Sequence, residues 1–248
     1  MAPIIEVSNA EYRALRELGL KAKLVEPRKA DLVVPTQDFW TIPNIHYRGE
    51  IVPADLSKRL LPVRTQQQHA EHRNFASPED FVTMDMPFYI AMFDALFKQR
   101  DTLEYAGEVR NFVQRSMRQS FPITLTRIAY SPRGKDTVTH NYGTEDSYQV
   151  RANIVGEDRV IRRWDREAIE AVTGTRDIKR LHQIFNYLNG TDLSVYRFNE
   201  KPQELTECVA RLYAGADDAG ASCYRHPGDV NASLGVRVGA RSAKFLKG

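Results

Sequence analysis

The sequence has few of the features that mark secreted, fibrous or membrane proteins. Only two cysteines, Cys208 and Cys223, occur in 248 residues, which is too few for a secreted disulfide scaffold and fits a reducing compartment. The 14 glycines and 12 prolines exclude a collagen-like or low-complexity chain. The longest apolar run, residues 88–93, is far shorter than the roughly 20 residues of a membrane-spanning helix. Because the N-terminus also lacks a signal-peptide pattern, we expect a cytoplasmic protein with no membrane partner.

The motifs of the common cofactor and metal enzymes are also missing. The sequence contains no G-x-x-x-x-G-K-[ST] phosphate loop, no G-x-G-x-x-G after a strand, no H-E-x-x-H and no G-x-S-x-G. We therefore predict no cofactor and favour a non-enzymatic protein over an enzyme.

The composition, with 42% apolar and 27% charged residues, is that of a globular chain. Helical and strand patterns fall into separate groups along the sequence, which is typical of an α+β fold. We predict an antiparallel sheet of about four to five strands packed against a helical layer, with a Pro-rich extended N-terminal arm. One structural domain would then comprise a helix and arm over residues 1–76, a core over 77–233, and a short strand with a basic tail over 234–248.

The arm is predicted from its prolines. After a capped helix over residues 8–18, five prolines recur every eight to ten residues between Glu26 and Gln68, which disfavours long helices and central strands. The arm also carries Phe39 and Trp40, so we expect it to pack on its own core or on a neighbouring subunit.

The remaining elements are predicted from apolar periodicity. Helices are expected from Ser77 to Arg118, with a largely buried segment at 86–99, and at 165–172, 175–188 and from Pro202 to 214. Strands are expected at 123–130, 137–142, 148–154, 193–198 and 234–238, with a small-residue loop at 215–233.

Charge favours nucleic acid as the partner. Residues 1–124 hold 16 basic and 16 acidic residues, so the net charge of +3 arises in the second half, where residues 230–248 carry four cations and no acid. Basic side chains at a hairpin tip, along a polar sheet face and on a tail can contact phosphates. We predict a nucleic-acid-binding protein that uses Arg127, Arg133, Lys135, Arg151, Arg237, Arg241, Lys244 and Lys247.

Three groups of residues are weighed as metal or catalytic sites. His69 and His72 occupy neighbouring positions of a polar, exposed helix, and Cys223 lies near His226 and Asp229 in a segment that Cys208 could join. A zinc site normally shows a second ligand pair at short spacing, which is absent here, so we predict no metal. His140 beside Glu145 and Asp146 could act as the general base of a hydrolase.

Two alternatives to nucleic-acid binding follow from these features. The Pro-rich arm, with Phe39 and Trp40, could pack against a neighbouring subunit in a homo-oligomer or larger assembly. The other alternative is the hydrolase that uses His140.

Overall fold

The computed structural model describes residues 38–157, 159–160 and 165–239. The predicted helix at 8–18, the first part of the arm and the tail residues Arg241, Lys244 and Lys247 lie outside these residues. The described chain contains ten strands: β1 (Phe39–Tyr47), β2 (Glu50–Arg64), β3 (Ile123–Tyr130), β4 (Asp136–His140), β5 (Tyr148–Ala152), β6 (Arg159–Val160), β7 (Asp192–Tyr196), β8 (Thr206–Ala214), β9 (Asp218–Arg225) and β10 (Asn231–Val238). Its five helices are α1 (Gln66–Phe75), α2 (Met86–Lys98), α3 (Ala106–Gln119), α4 (Arg166–Thr173) and α5 (Ile178–Asn189).

The strands form two sheets, and the fold is α+β. A three-stranded sheet has the order β1-β2-β10, and a seven-stranded sheet has the order β5-β4-β3-β8-β9-β7-β6. Strands β7 and β9 pair in parallel, whereas the other named pairs are antiparallel. The prediction of one antiparallel sheet of four to five strands was therefore wrong in both the number of strands and their direction.

The Pro-rich segment forms strands, and its longest strand is central. Strand β2 pairs with β1 on one side and with β10 on the other. The pairing of β1 with β2 shifts register where Pro43 and Pro53 lie, and the pairing of β10 with β2 shifts where Pro62 lies. Because a proline has no N–H to give to a ladder, these irregularities let it sit inside a paired strand. The expectation that prolines exclude a central strand was wrong for this reason.

The apolar side chains of this segment pack on the protein's own core. Ile42, Ile45 and Val52 are buried. The Trp40 ring lies 5.4 Å from that of Phe112 on α3, between ring centroids. These side chains of the arm are therefore covered by the same chain, whereas Ile51 and Val63 are exposed.

Helix α2 forms the centre of the core, as its apolar sequence predicts. Nine of its 13 residues are buried. The helix begins later than predicted, because Asp85 caps it by accepting a hydrogen bond from the Phe88 N–H. The earlier Ser77 instead donates both its N–H and its hydroxyl to Asp80, which forms a local turn. Helices α3, α4 and α5 and strands β3, β4 and β5 occupy the predicted segments within a few residues.

The largest error concerns the segment from Pro202 onwards. The residues assigned to a helix form β8, in which seven consecutive residues are buried. A continuous apolar run fits a buried helix and a strand covered on both faces equally well. The predicted loop at 215–233 contains all of β9 and the start of β10. Small residues suit β9 because its backbone lies close to that of β7. A Cβ at Gly220 would lie 2.0 Å from the Ser194 carbonyl oxygen.

Candidate nucleic-acid interface

The predicted hairpin between β3 and β4 is present. Its two basic residues, Arg133 and Lys135, differ in whether a carboxylate lies beside them. Arg133 is exposed at the tip. Lys135 is also exposed, but its ammonium group lies 2.6 Å from the Glu167 carboxylate. Among the residues that the structure describes, no carboxylate forms an ion pair with Arg133, whereas Lys135 has Glu167 as its partner.

Arg127 and Arg151 lie on one face of the large sheet, as predicted, but in different surroundings. Arg127 of β3 is paired with Thr139 of β4, and Arg151 of β5 is paired with Thr137 of β4. Because Thr137 and Thr139 lie on the same face of β4, the two arginines lie on one face of the sheet. Arg151 is exposed. Arg127 is only 8% exposed, because its guanidinium donates to Gln66 on α1 and to Glu207. Arg127 therefore links α1 to the sheet.

Arg237 is likewise engaged within the fold. Its guanidinium lies 2.9 Å from the Asp55 carboxylate and 3.4 Å from that of Glu79. It also lies over the rings of Phe39 and Phe81, at 4.7 and 4.9 Å from their centroids. Its contacts hold β10 against β2, so Arg237 belongs to a packed strand rather than to a free basic tail.

The two histidines of α1, His69 and His72, belong to no cluster of potential metal ligands among the described residues. His69 is buried, contrary to the expected exposed helix: its Nε2 lies 3.1 Å from the Asn231 carbonyl oxygen, and its Nδ1 lies 2.8 Å from the Thr83 hydroxyl. Burial lowers the pKa of His69, and the charge of nearby Arg64 lowers it further. Across the described ranges, no three His, Cys, Asp or Glu side chains come together as metal ligands.

The Cys223 segment separates its candidate ligands. Both cysteines are buried free thiols, and burial raises the pKa of Cys208 to about 11 and that of Cys223 to about 12. His226 is exposed, and its Nδ1 accepts a hydrogen bond from the Gly228 N–H. Because the thiols face the core while the imidazole faces solvent, this segment does not assemble a metal site.

His140 is placed as a structural residue. It is 1% exposed, with Nε2 at 2.8 Å from the Ala171 carbonyl oxygen and Nδ1 at 3.0 Å from the Thr126 hydroxyl. The Thr126 hydroxyl also accepts from the Met86 N–H. Burial lowers the pKa of His140, so the neutral ring is favoured. With both ring nitrogens engaged, His140 has no free position from which to take a substrate proton.

A different group of basic residues lies at the centre of the large sheet. Arg211 of β8 pairs with Ser222 of β9, and the guanidinium donates from Nη1 to the Asn231 side-chain oxygen. Arg211 and Ser222 are each 7% exposed. The Arg211 Nε and the Ser222 hydroxyl oxygen are buried and have no hydrogen-bond partner within the described part of the chain. A buried guanidinium normally has a carboxylate partner, but none of the described residues forms an ion pair with Arg211.

Two exposed residues extend this group toward solvent. The register between β8 and β9 shifts between Val209 and Arg211, which places Tyr224 at a bulge. Arg225 lies over the Tyr224 ring, 5.0 Å from its centroid. Burial lowers the pKa of Arg211, and the charge of Arg225 lowers it further, while Asp229 acts in the opposite sense. We refer to Arg211, Ser222, Tyr224, Arg225 and Asn231 as the Arg211 site.

Aromatic rings continue from the Arg211 site along β7 and β8. The ring of Tyr196 lies 6.2 Å from that of Tyr224 and 5.0 Å from that of Tyr213, between centroids. Both Tyr196 and Tyr213 donate hydrogen bonds to Asp218. The sheet therefore presents arginines beside a row of tyrosines.

Sequence reasoning missed the Arg211 site because it assigned β8 to a helix and β9 to a loop. On those assignments Arg211 and Ser222 are not neighbours. The available signal was Arg211 itself, a charged residue within an otherwise apolar run.

Among the helices of the described ranges, none combines the length and apolar character needed to cross a bilayer. Comparisons with protein-family models, with curated proteins and with solved structures find no match to this chain. The function is therefore inferred from the geometry of the site.

Proposed function

We propose that this protein binds single-stranded nucleic acid, without catalysing a reaction, through the Arg211 site and the adjoining tyrosines. The observation that carries the proposal is the buried Arg211 guanidinium, which has an unpartnered Nε and no ion pair among the described residues. An anion that reaches this group would offset the cost of burying an unpaired charge.

Unpaired positive charge around Arg211 supports a phosphate backbone as the ligand. Arg225 and Arg64 form no ion pair with any carboxylate of the described residues. Arg64 lies opposite Asn231 in the pairing of β2 with β10, so its backbone adjoins the residue that holds Arg211. Clustered arginines attract phosphates and bind them through charge-assisted hydrogen bonds.

The tyrosines support single strands rather than duplexes. Tyr224 is 37% exposed, and its ring has Arg225 on one side and Tyr196 nearby. Exposed aromatic rings beside arginines stack on unpaired bases, whose faces are hidden within a duplex.

The two alternatives receive less support from the geometry. A hydrolase that uses His140 would need an accessible ring nitrogen, and both nitrogens are engaged in a buried position. The assembly hypothesis rested on the apolar residues of the arm, and Trp40 packs against Phe112 of the same chain.

The test is fluorescence anisotropy with labelled DNA and RNA single strands of about 16 nucleotides, and with the corresponding duplexes, at about 50 and about 200 mM salt. We expect Arg225→Ala to weaken single-strand binding roughly fivefold at the lower salt, and to reduce the slope of log K against log salt by about 0.7. Arg133→Ala and Arg151→Ala are matched controls, because each also removes one exposed arginine of the large sheet.

The results distinguish two possible locations of the nucleic-acid interface, the Arg211 site and the hairpin tip at Arg133. A loss of affinity in Arg133→Ala but not in Arg225→Ala would move the interface to the hairpin tip and contradict the Arg211 site. Substitution of Arg241, Lys244 and Lys247 by glutamine tests the tail and leaves β10 intact. Failure of every oligonucleotide to bind at the lower salt would refute nucleic-acid binding.

A further inference from the structure

Phe121 is exposed and is held in a strained backbone conformation. Helix α3 ends at its C-cap Ser120, and the next residue, Phe121, has a φ of 46°. This left-handed region favours glycine, and a bulky side chain there is an outlier. Pro122 adds a second restriction, because the residue before a proline favours extended backbone with negative φ. The Phe121 side chain is nevertheless 42% exposed, so burial of the ring does not account for a phenylalanine at this position.

The end of α3 beside Phe121 carries positive charge without acidic partners. Arg115 and Arg118 lie near the C-terminal end of this helix and are exposed. Their side chains form no ion pair with any carboxylate in the described part of the chain. A spacing of three residues places the two arginines on one face of the helix. An exposed aromatic ring beside unpaired arginines is complementary to a base and its phosphates.

Hydrogen bonds connect this end of α3 to the Arg211 site through Asn231. The Ser120 carbonyl oxygen accepts from the Asn231 side-chain nitrogen at 3.2 Å. The side-chain oxygen of the same asparagine accepts from the Arg211 guanidinium. Phe121 therefore follows a residue that is bonded directly to the Arg211 site.

The pairing of the strands sets the separation of Phe121 from Tyr224. Ile123, Arg211 and Ser222 pair across β3, β8 and β9. Phe121 lies two residues before this row, and Tyr224 lies two residues after it. Because β8 lies between β3 and β9, the two backbones are separated by about 10 Å at the usual spacing of strands. Stacked bases follow one another at about 3.4 Å, so the two rings are placed to contact bases that are not neighbours.

We infer that Phe121 is a second base-stacking position for the single strand that binds at Tyr224, and that Arg115 and Arg118 contact the phosphates of that strand. This inference rests on the proposed single-strand binding and extends the interface from β9 to the end of α3. The Phe121 ring and both arginines reach solvent, so a strand contacts them without a change in the fold. The strained backbone then has a role, because it holds the ring at the surface where a base covers it.

The first test is photo-crosslinking of the unmodified protein. A single strand of about 16 nucleotides, with 5-bromouracil at each thymine position, is irradiated with the protein, and crosslinked tryptic peptides are identified by mass spectrometry. Phe121 lies in the peptide 119–127 and Tyr224 in the peptide 212–225. We expect crosslinks to both peptides. A crosslink to 212–225 without one to 119–127 would overturn the second stacking position and leave the proposed function standing.

Affinity measurements test the ring itself. Phe121→Asn removes the ring, and asparagine tolerates the left-handed backbone, whereas Phe121→Tyr keeps a ring of similar shape. By fluorescence anisotropy at about 50 mM salt, we expect Phe121→Asn to bind the strand about tenfold more weakly, and Phe121→Tyr to lose much less. Phe75→Asn is the matched control, because Phe75 is 88% exposed at the end of α1. This control should not weaken binding.

The remaining results separate the inference from the proposed function. Equal binding by Phe121→Asn and the unmodified protein, with Arg225→Ala still weakened, would reject the second position only. Failure of every strand to bind refutes both proposals. If sedimentation shows a dimer that Phe121→Asn converts to a monomer, the ring contacts a second copy of the chain and not a base. Should Phe121→Asn fail to fold, which thermal melting would reveal, Arg118→Gln carries the test. We expect it to reduce the slope of log K against log salt by about 0.7, and an unchanged slope would contradict the phosphate contact.

Discussion

Tyr89 provides a sharp test of how the core helix is joined to the small sheet. It lies on α2 and is fully buried. Its hydroxyl donates to the Leu234 carbonyl oxygen at 2.6 Å, accepts from the Met84 N–H at 3.1 Å and lies 3.2 Å from the Ser233 hydroxyl. Tyr89→Phe removes this oxygen and leaves the rest of the ring in place. It therefore isolates the polar contribution from packing.

The expected loss follows from the groups left behind. The Met84 N–H would become a buried donor without a partner, which costs about 1–3 kcal/mol, and the net contribution of the lost bond to Leu234 adds about 1 kcal/mol. Ser233 keeps its hydrogen bond to the Ile123 carbonyl. We expect Tyr89→Phe to lower the free energy of unfolding by about 2–4 kcal/mol, measured by urea denaturation with an unchanged m-value.

Tyr187→Phe is the matched control for this measurement. The Tyr187 hydroxyl makes no hydrogen bond to any residue of the described ranges, so the same chemical change should alter stability by no more than about 0.5 kcal/mol. If Tyr89→Phe loses no more stability than Tyr187→Phe, the reasoning about the buried hydroxyl is wrong.

Two further predictions test local features. Gly143→Ala should destabilise more than Gly134→Ala: both residues have positive φ, at 75° and 72°, but a Cβ at Gly143 would lie 2.9 Å from the Ala70 Cβ, whereas one at Gly134 meets nothing within 4 Å. We expect about 1–2 kcal/mol for the backbone effect alone at Gly134, and equal losses in urea denaturation would contradict packing of Gly143 on α1. His140 should stay neutral in the folded protein, with the proton on Nε2, because burial lowers its pKa. Since the unfolded chain then takes up the proton first, its contribution to stability falls as the pH drops through about 6.5. Histidine NMR titration checks this, and a folded-state pKa above 6.5 would refute it.

Elements whose apolar pattern has one clear period were predicted well. The hairpin of β3 and β4 and the amphipathic helices α3 and α5 follow from alternating or helical spacing within one segment. For α3, the apolar residues at helical spacing, Ala106, Val109, Val113 and Met117, are all buried. Helices α3 and α5 and strand β4 bury one face, so the sequence itself carries the information on which side of these elements is covered.

Strands β8 and β9, in which consecutive residues are buried on both faces, were not predicted. The apolar run of β8 matched helical spacing because almost every position is apolar, and the small residues of β9 matched a loop. The prolines of β2 were compatible with a central strand only because register shifts in the neighbouring strands accommodate them. In each case the deciding factor is the neighbour that the strand pairs with, which local sequence does not specify.

The same division applies to the charged residues. Composition and charge order placed an excess of cations in the second half of the chain, but the sequence did not single out Arg211 or Arg225 among them. Only the tertiary structure decided which cations are engaged: Arg127 and Arg237 are held by carboxylates, whereas Arg211 is buried without an ion pair among the described residues. The physical reason is that ion pairing and desolvation depend on the groups that folding brings within a few ångströms, and Arg211, Ser222 and Asn231 become neighbours only when β8, β9 and β10 take their places.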